Sequence, residues 1–248
     1  MVKGLDTFQK YFADYEEQYV LIGGAACDIL FESNEVNFRA TRDLDMVLIV
    51  EALTPEFGEK FWEFIVDGKY RNKATNGSNP QFYRFDKPED DEFPKMIELF
   101  CRSDFKLKNA KGITPIHIDD EVSSLSAILL NDDYYKALLN GKEVRNGLSV
   151  LRPEYIILFK AKAYLDLQKR KDSGEKLDSS DIKKHKKDVL RIASELMLEK
   201  VEELPIAVDA DIHSFIDLLE QEPFDQNSLK RYGLKNEDIM ELLKKVFG

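Results

Sequence analysis

Long apolar runs are missing from this sequence: no window approaches the roughly 18 consecutive apolar residues that a membrane-spanning helix needs. Met1 to Lys10 alternates charge with apolarity and has no basic patch followed by an uninterrupted apolar stretch. No secretory signal or membrane partner is therefore expected, and the protein is placed in the cytoplasm. Cysteine is also scarce. The two present, Cys27 and Cys101, lie in apolar surroundings without CxxC spacing, which points to buried thiols and away from a disulfide or zinc framework. The three histidines, His117, His185 and His213, lack ligand spacing and receive no role. Neither the P-loop pattern nor the G-x-G-x-x-G fingerprint occurs. Positive charge is in deficit: a net charge of -11 argues against broad electrostatic attachment to nucleic acid or to an anionic membrane.

What is present describes a globular protein, with 43% hydrophobic and 33% charged residues in a chain of 248, long enough for two modest domains. Leu5 to Tyr15 has helical amphipathicity. Tyr19 to Ile22 reads as a buried strand that stops at Gly23-Gly24, after which Ala25 to Phe31 resumes with helix formers. Asp43 to Val50 is a second strand and Pro55 to Val66 a helix, while Gln81 to Phe85 and Lys95 to Cys101 are strands around the acidic, proline-containing loop 87–94. A helix from Asp132 to Leu139, a turn over Gly141 to Gly147 and a short strand Leu148 to Leu151 follow. From Pro153 onward the pattern is helical: Glu154 to Lys169, Ile182 to Val201, Ile212 to Glu220 and Asn236 to Phe247, with a charged loop over Lys171 to Asp181. The fold class expected is α/β (α+β), with a mixed-sheet domain at 1–150 and a helical domain at 151–248.

Asp43 and Asp45 are the most informative pair, because strand residues i and i+2 project to one face. Two like charges side by side in an apolar segment repel and lose hydration unless a cation holds them, and an all-oxygen donor set suits Mg²⁺ or Mn²⁺ better than zinc. An exposed strand end that caps a turn is the other reading. Glu98 interrupts the apolar run Met96-Ile97-Leu99-Phe100, so it is either a third carboxylate for the same ion or an outward-facing glutamate on a half-exposed strand. Gly23-Gly24 stands where a strand meets a helix; it either lets backbone N–H groups approach a phosphate chain or simply makes a tight turn. Lys160 breaks the apolar run Ile156 to Phe159 and either reaches an anion or snorkels to solvent.

The order of these pieces is specific. Leu21-Ile22-Gly23-Gly24, then Arg39-Ala40-Thr41-Arg42-Asp43-Leu44-Asp45, then Met96-Ile97-Glu98-Leu99 together resemble the polymerase-β-type nucleotidyltransferases, especially the branch of AbiEii-type toxins and small-molecule antibiotic nucleotidyltransferases. The resemblance implies that Asp43, Asp45 and Glu98 hold two divalent ions, Mg²⁺ or Mn²⁺, and that Gly23 and Gly24 seat the β and γ phosphates of an NTP. It also leaves room for Glu98 to assist deprotonation of the acceptor hydroxyl. The third acidic residue in these enzymes is often Asp, so the longer Glu98 is a departure. Arg39, Thr41 and Arg42 are candidate phosphate contacts, or exposed residues at a strand entrance. In the helical half, Phe159-Lys160-Ala161-Lys162-Ala163 and Lys187-Asp188-Val189-Leu190 are similar to the lysine helix and Lys-Asp element of the AbiEii-like branch, which implies that Lys160 meets phosphate and Asp188 orients it.

The activity implied is transfer of an NMP from an NTP to a hydroxyl, with the acceptor open. An RNA 3′ end would use the stretch Lys169 to Lys187, where eight Lys or Arg face four Asp or Glu; that stretch is otherwise a solvated loop and helix face. A cationic small hydroxyl compound of the antibiotic type would favour the acidic residues Glu89 to Glu92. A third reading is an inactive nucleotide-binding or partner-binding module, with an antitoxin protein as the partner.

Overall fold

Four consecutive apolar residues leave a strand no solvent face, and Tyr19–Ile22 (β1) is buried along its whole length. In the computed structural model, which describes residues 3–32, 43–72, 82–101, 128–129 and 131–248, β1 lies inside a mixed sheet. Helix Leu5–Phe12 (α1) precedes it, and helix Gly23–Glu32 (α2) follows with no residue between. Then come Asp43–Leu48 (β2), Pro55–Asp67 (α3), Arg71–Asn72 (β3), Phe82–Asp86 (β4) and Met96–Cys101 (β5). Helix Asp132–Asn140 (α4) leads into Lys142–Arg145 (β6) and Leu148–Leu151 (β7). Among the described residues the strands form one sheet in the order β3-β4-β5-β2-β1-β7-β6. β1 runs antiparallel to β2 and parallel to β7, and β2 runs parallel to β5.

The apolar positions of these strands fall on one face by alternation. Leu44, Ile97 and Phe85 are register partners across β2, β5 and β4. Phe85 meets Phe61 of α3 edge-on at 5.5 Å, and Tyr19 meets Phe8 of α1 edge-on at 5.5 Å. Phe12, Phe57 and Phe64 complete this fully buried aromatic cluster. Helices α1 and α3 therefore cover the face of the sheet that points away from Asp43 and Asp45. Thr54 caps α3, its hydroxyl accepting from the Phe57 N–H at 3.3 Å, and Pro55 takes the first helical position.

The remainder is helical: Pro153–Asp172 (α5), Ser179–Glu195 (α6), Ile206–Gln221 (α7), Gln226–Tyr232 (α8) and Asn236–Phe247 (α9). Helix α5 packs on α6 and α7, and α9 packs on α6 and α7. Among the described residues no helix is long and apolar enough to cross a membrane.

Several expectations shift. The turn expected over Gly141 to Gly147 is strand β6, which closes a hairpin onto β7; only Asn146 and Gly147, both at positive φ, make the turn, as a two-residue hairpin of primed type requires. Helix α6 ends at Glu195 rather than Val201, because Leu196 is extended. Helix α8 is additional, framed by Asp225, which accepts from the Ser228 N–H, and by Gly233 in the left-handed region. The division of the chain is not one cut at 150: one compact unit comprises Met1–Ile118 and Lys142–Leu151, the other Asp119–Gly141 and Arg152–Gly248. Helix α4 groups with the helical unit for a packing reason. Its Tyr134 ring meets Phe159 of α5 edge-on at 5.4 Å and its hydroxyl donates to Asp211 of α7 at 3.0 Å.

Candidate active site

In the sheet unit burial alternates from Asp43 to Met46: Leu44 and Met46 are buried, while Asp43 and Asp45 are half-exposed on the opposite face. The parallel pairing of β2 with β5 sets Asp45 directly beside Glu98, and Asp43 lies two residues along the same face. The structure thus brings together the three carboxylates singled out by sequence. Glu98 is only 8% exposed, and burial raises the pKa of its carboxyl. The neighbouring Arg84 opposes that rise, the charge of Asp43 adds to it, and a hydrogen bond with Asp45 again opposes it.

Gly23 completes the group from the next strand. Ile22, the last residue of β1, is the register partner of Asp45, and Gly23 then turns the chain into α2 with φ +61. A Cβ added at Gly23 would run into Oδ2 of Asp45, so only glycine brings the start of α2 this close to the carboxylate. Gly23 and Gly24 are the first two residues of that helix, where backbone N–H groups lack intrahelical acceptors.

Arg84 is the member that sequence reasoning missed. On β4 it is the register partner of Glu98; its Nε–H donates to Glu98 Oε1 at 2.7 Å, and its Nη2 forms an ion pair with the same oxygen. Ile22, Asp45, Glu98 and Arg84 therefore form one row across four strands. The signal was legible: Arg84 interrupts the aromatic strand Phe82-Tyr83-Phe85 just as Glu98 interrupts its own.

An all-oxygen set of two aspartates and a glutamate has the chemistry to take a hard divalent cation. Among the described residues, however, no group of three or more His, Cys, Asp or Glu side chains is already arranged to hold a metal ion, and Glu98 is engaged with Arg84. The donor types and their shared face fit the ion; the present orientation of Glu98 serves the guanidinium.

In the helical unit, Lys160 of α5 and Asp188 of α6 form an ion pair at 3.0 Å, with side chains only 12% and 7% exposed. Neither snorkels to bulk solvent. Lys162, two residues further along and on a different side of α5, pairs with Asp166 at 3.1 Å and Asp211 at 3.2 Å. His185 is buried in α6. Within the basic stretch, Arg170 pairs with Glu175, and Lys186 donates to the Glu222 carbonyl beside the rings of Tyr164 and Phe224, while Lys183 and Lys187 are exposed. In the acidic loop, Glu89 pairs with Lys69 at 3.0 Å and Asp91 with Lys3 at 3.1 Å. Arg39, Thr41, Arg42 and His117 lie outside the described residues, as does the side chain of Cys101; Cys27 is buried in α2.

Neither a family model nor a curated protein matches the chain. Among solved structures it is similar to an antigenic nucleotidyltransferase-like protein from Paracoccidioides brasiliensis, at 13% identity and a TM-score of 0.45 over 97% of this chain and 93% of that one. A likeness at that level adds nothing to the geometry above.

Proposed function

We propose that the chain is a cytosolic nucleotidyltransferase that moves a nucleoside monophosphate from an NTP to a hydroxyl acceptor and releases pyrophosphate. The observation that carries this reading is the row in which Asp45 and Glu98 stand side by side, with Asp43 on the same face and the bare Cα of Gly23 against Asp45.

Asp43, Asp45 and Glu98 would hold Mg²⁺ or Mn²⁺ through carboxylate oxygens. Such an ion, when bound, makes an acceptor hydroxyl more acidic and neutralises charge on the phosphates. The N–H groups of Gly23 and Gly24 and the positive end of α2 seat the β and γ phosphates. Glu98, whose proton affinity burial raises, takes the proton of the acceptor hydroxyl as its oxygen bonds to the α-phosphorus and the bond to the pyrophosphate oxygen breaks. In this reading Lys160, whose ammonium is directed by its ion pair with Asp188, is a further candidate phosphate contact. Arg39, Thr41 and Arg42 are further phosphate contacts in this reading.

For the acceptor, the toxin-like branch and an RNA 3′ hydroxyl stand first. Lys183 and Lys187 are exposed cations, whereas two of the acidic residues that would attract a cationic small molecule already have lysine partners. The test is incubation with each labelled NTP, Mg²⁺ or Mn²⁺, and either total RNA or a panel of hydroxyl compounds. Pyrophosphate release with RNA supports the reading and release only with a small compound reassigns the acceptor. No release with any NTP overturns it in favour of a binding module, for which an antitoxin is the expected partner.

A further inference from the structure

We infer that Arg84 is an internal counter-cation, one that holds Glu98 away from divalent ions until the phosphate chain of a nucleotide offers its guanidinium another anion. The inference rests on the reading of Asp43, Asp45 and Glu98 as the cation-binding set.

Glu98 is flanked on both sides within its row. On one side is Asp45, with which its carboxyl hydrogen-bonds; on the other is Arg84, which directs both Nε and Nη2 at Oε1. The side chains of Arg84 and Glu98 are 25% and 11% exposed, so water screens their attraction poorly. A divalent ion taking Glu98 as a ligand meets a fixed positive charge in contact with that ligand and competes with it for the same oxygen. The absence of a ready metal cluster among the described residues agrees with this engagement. Release needs an anion whose geometry suits a guanidinium better than one carboxylate oxygen does, and a phosphate accepting two parallel N–H groups is such an anion. Cation and nucleotide then enter as a unit, and the nucleotide-free protein has little affinity for Mg²⁺ or Mn²⁺.

The decisive measurement is Mn²⁺ binding to the full chain without nucleotide, read by electron paramagnetic resonance of the free ion. Arg84→Gln is expected to bind Mn²⁺ roughly tenfold more tightly than the unaltered chain, since a nearby like charge is removed. Arg84→Lys, which keeps the charge, is expected to stay close to the unaltered chain. The gain must disappear in the double variant Arg84→Gln/Asp45→Asn. Unchanged or weaker binding by Arg84→Gln overturns the role of Arg84, while the nucleotidyltransferase reading is judged separately by pyrophosphate release from the unaltered chain. A gain that persists without Asp45 puts the ion elsewhere and sinks the carboxylate reading itself. Should Arg84→Gln fail to fold, the Nε–H resonance of Arg84 in the unaltered chain decides. It is expected to move as Mg²⁺ and a non-hydrolysable NTP are added together and not with Mg²⁺ alone; the reverse pattern overturns the inference.

Discussion

The missing Cβ of Gly23 and the Oδ2 of Asp45 claim the same space, so the start of α2 and the carboxylate are built around each other. Gly23→Ala forces a left-handed backbone on an alanine, costing about 1–2 kcal/mol, and pushes Asp45 aside. The melting temperature is expected to fall by about 2–4 °C per kcal/mol lost, whereas turnover falls at least tenfold on the order expected for a misplaced catalytic group. Thermal melts run beside pyrophosphate assays check this. A variant that is less stable yet fully active would detach Gly23 from the site.

Asp45→Asn keeps the shape of the side chain and removes its charge. Pyrophosphate release is expected to vanish while the circular dichroism spectrum is unchanged. Crowding of carboxylates is relieved, so stability in the absence of cation is expected to rise by about 0.5–2 kcal/mol. Turnover equal to that of the unaltered chain would remove Asp45 from the chemistry.

Lys160 carries two consequences that one substitution confuses. Lys160→Ala removes the ammonium that lies 3.0 Å from buried Asp188, which is expected to cost about 3–5 kcal/mol of stability, and on the role proposed for Lys160 the same change is expected to lower the rate roughly a hundred- to thousandfold. The double variant Lys160→Met/Asp188→Asn is expected to recover most of the stability and none of the rate. Urea unfolding and steady-state kinetics on both variants separate the effects. If the double variant also recovers turnover, the pair is packing alone.

Glu154 of α5 is 2% exposed; its Oε1 accepts from the Glu199 N–H at 3.1 Å, while among the described residues no partner meets Oε2. Burial raises its pKa from 4.5. Between the unfolded and the folded pKa the native state binds more protons than the unfolded chain, so this group makes stability fall as pH rises from about 4.5 through the raised value, and no further above it. Glu154→Gln removes that slope and is expected to be the more stable of the two at pH 7, because its neutral amide escapes the cost of ionising a buried carboxyl. Urea denaturation of both proteins from pH 4 to pH 8 checks it; parallel curves would show that Glu154 ionises without cost.

Local pattern carried the reading as far as local pattern can. Tyr19–Ile22, Asp43–Leu48 and Met96–Cys101 announce themselves by apolar runs, and the glutamate inside the last is conspicuous in one dimension. That Asp45 and Glu98 are neighbours is a matter of register between strands about fifty residues apart, to which alternation sets the face and not the partner. Arg84 escaped notice because one charge on a strand with aromatic neighbours looks like a solvent face until Glu98 is seen opposite it. The Asn146-Gly147 hairpin was available from its dipeptide alone; the glycine at 141 drew the turn too wide. The membership of α4 could not be read, since Tyr134 gives no sign of whether its ring is covered by a sheet or by Phe159 and its hydroxyl by Asp211.

That membership bears on how such a chain can be inherited or rearranged. The polypeptide passes from one unit to the other three times, after Ile118, Gly141 and Leu151, so neither unit is a contiguous cassette. A single crossover at 150 would deliver α4 to descendants without α5 and α7, leaving the ring of Tyr134 without Phe159 and its hydroxyl without Asp211. Recombination can exchange the helical unit intact only by a double event that carries the β6–β7 hairpin along or replaces it in place. A lineage built on this topology should therefore diversify by point substitution more readily than by shuffling whole modules.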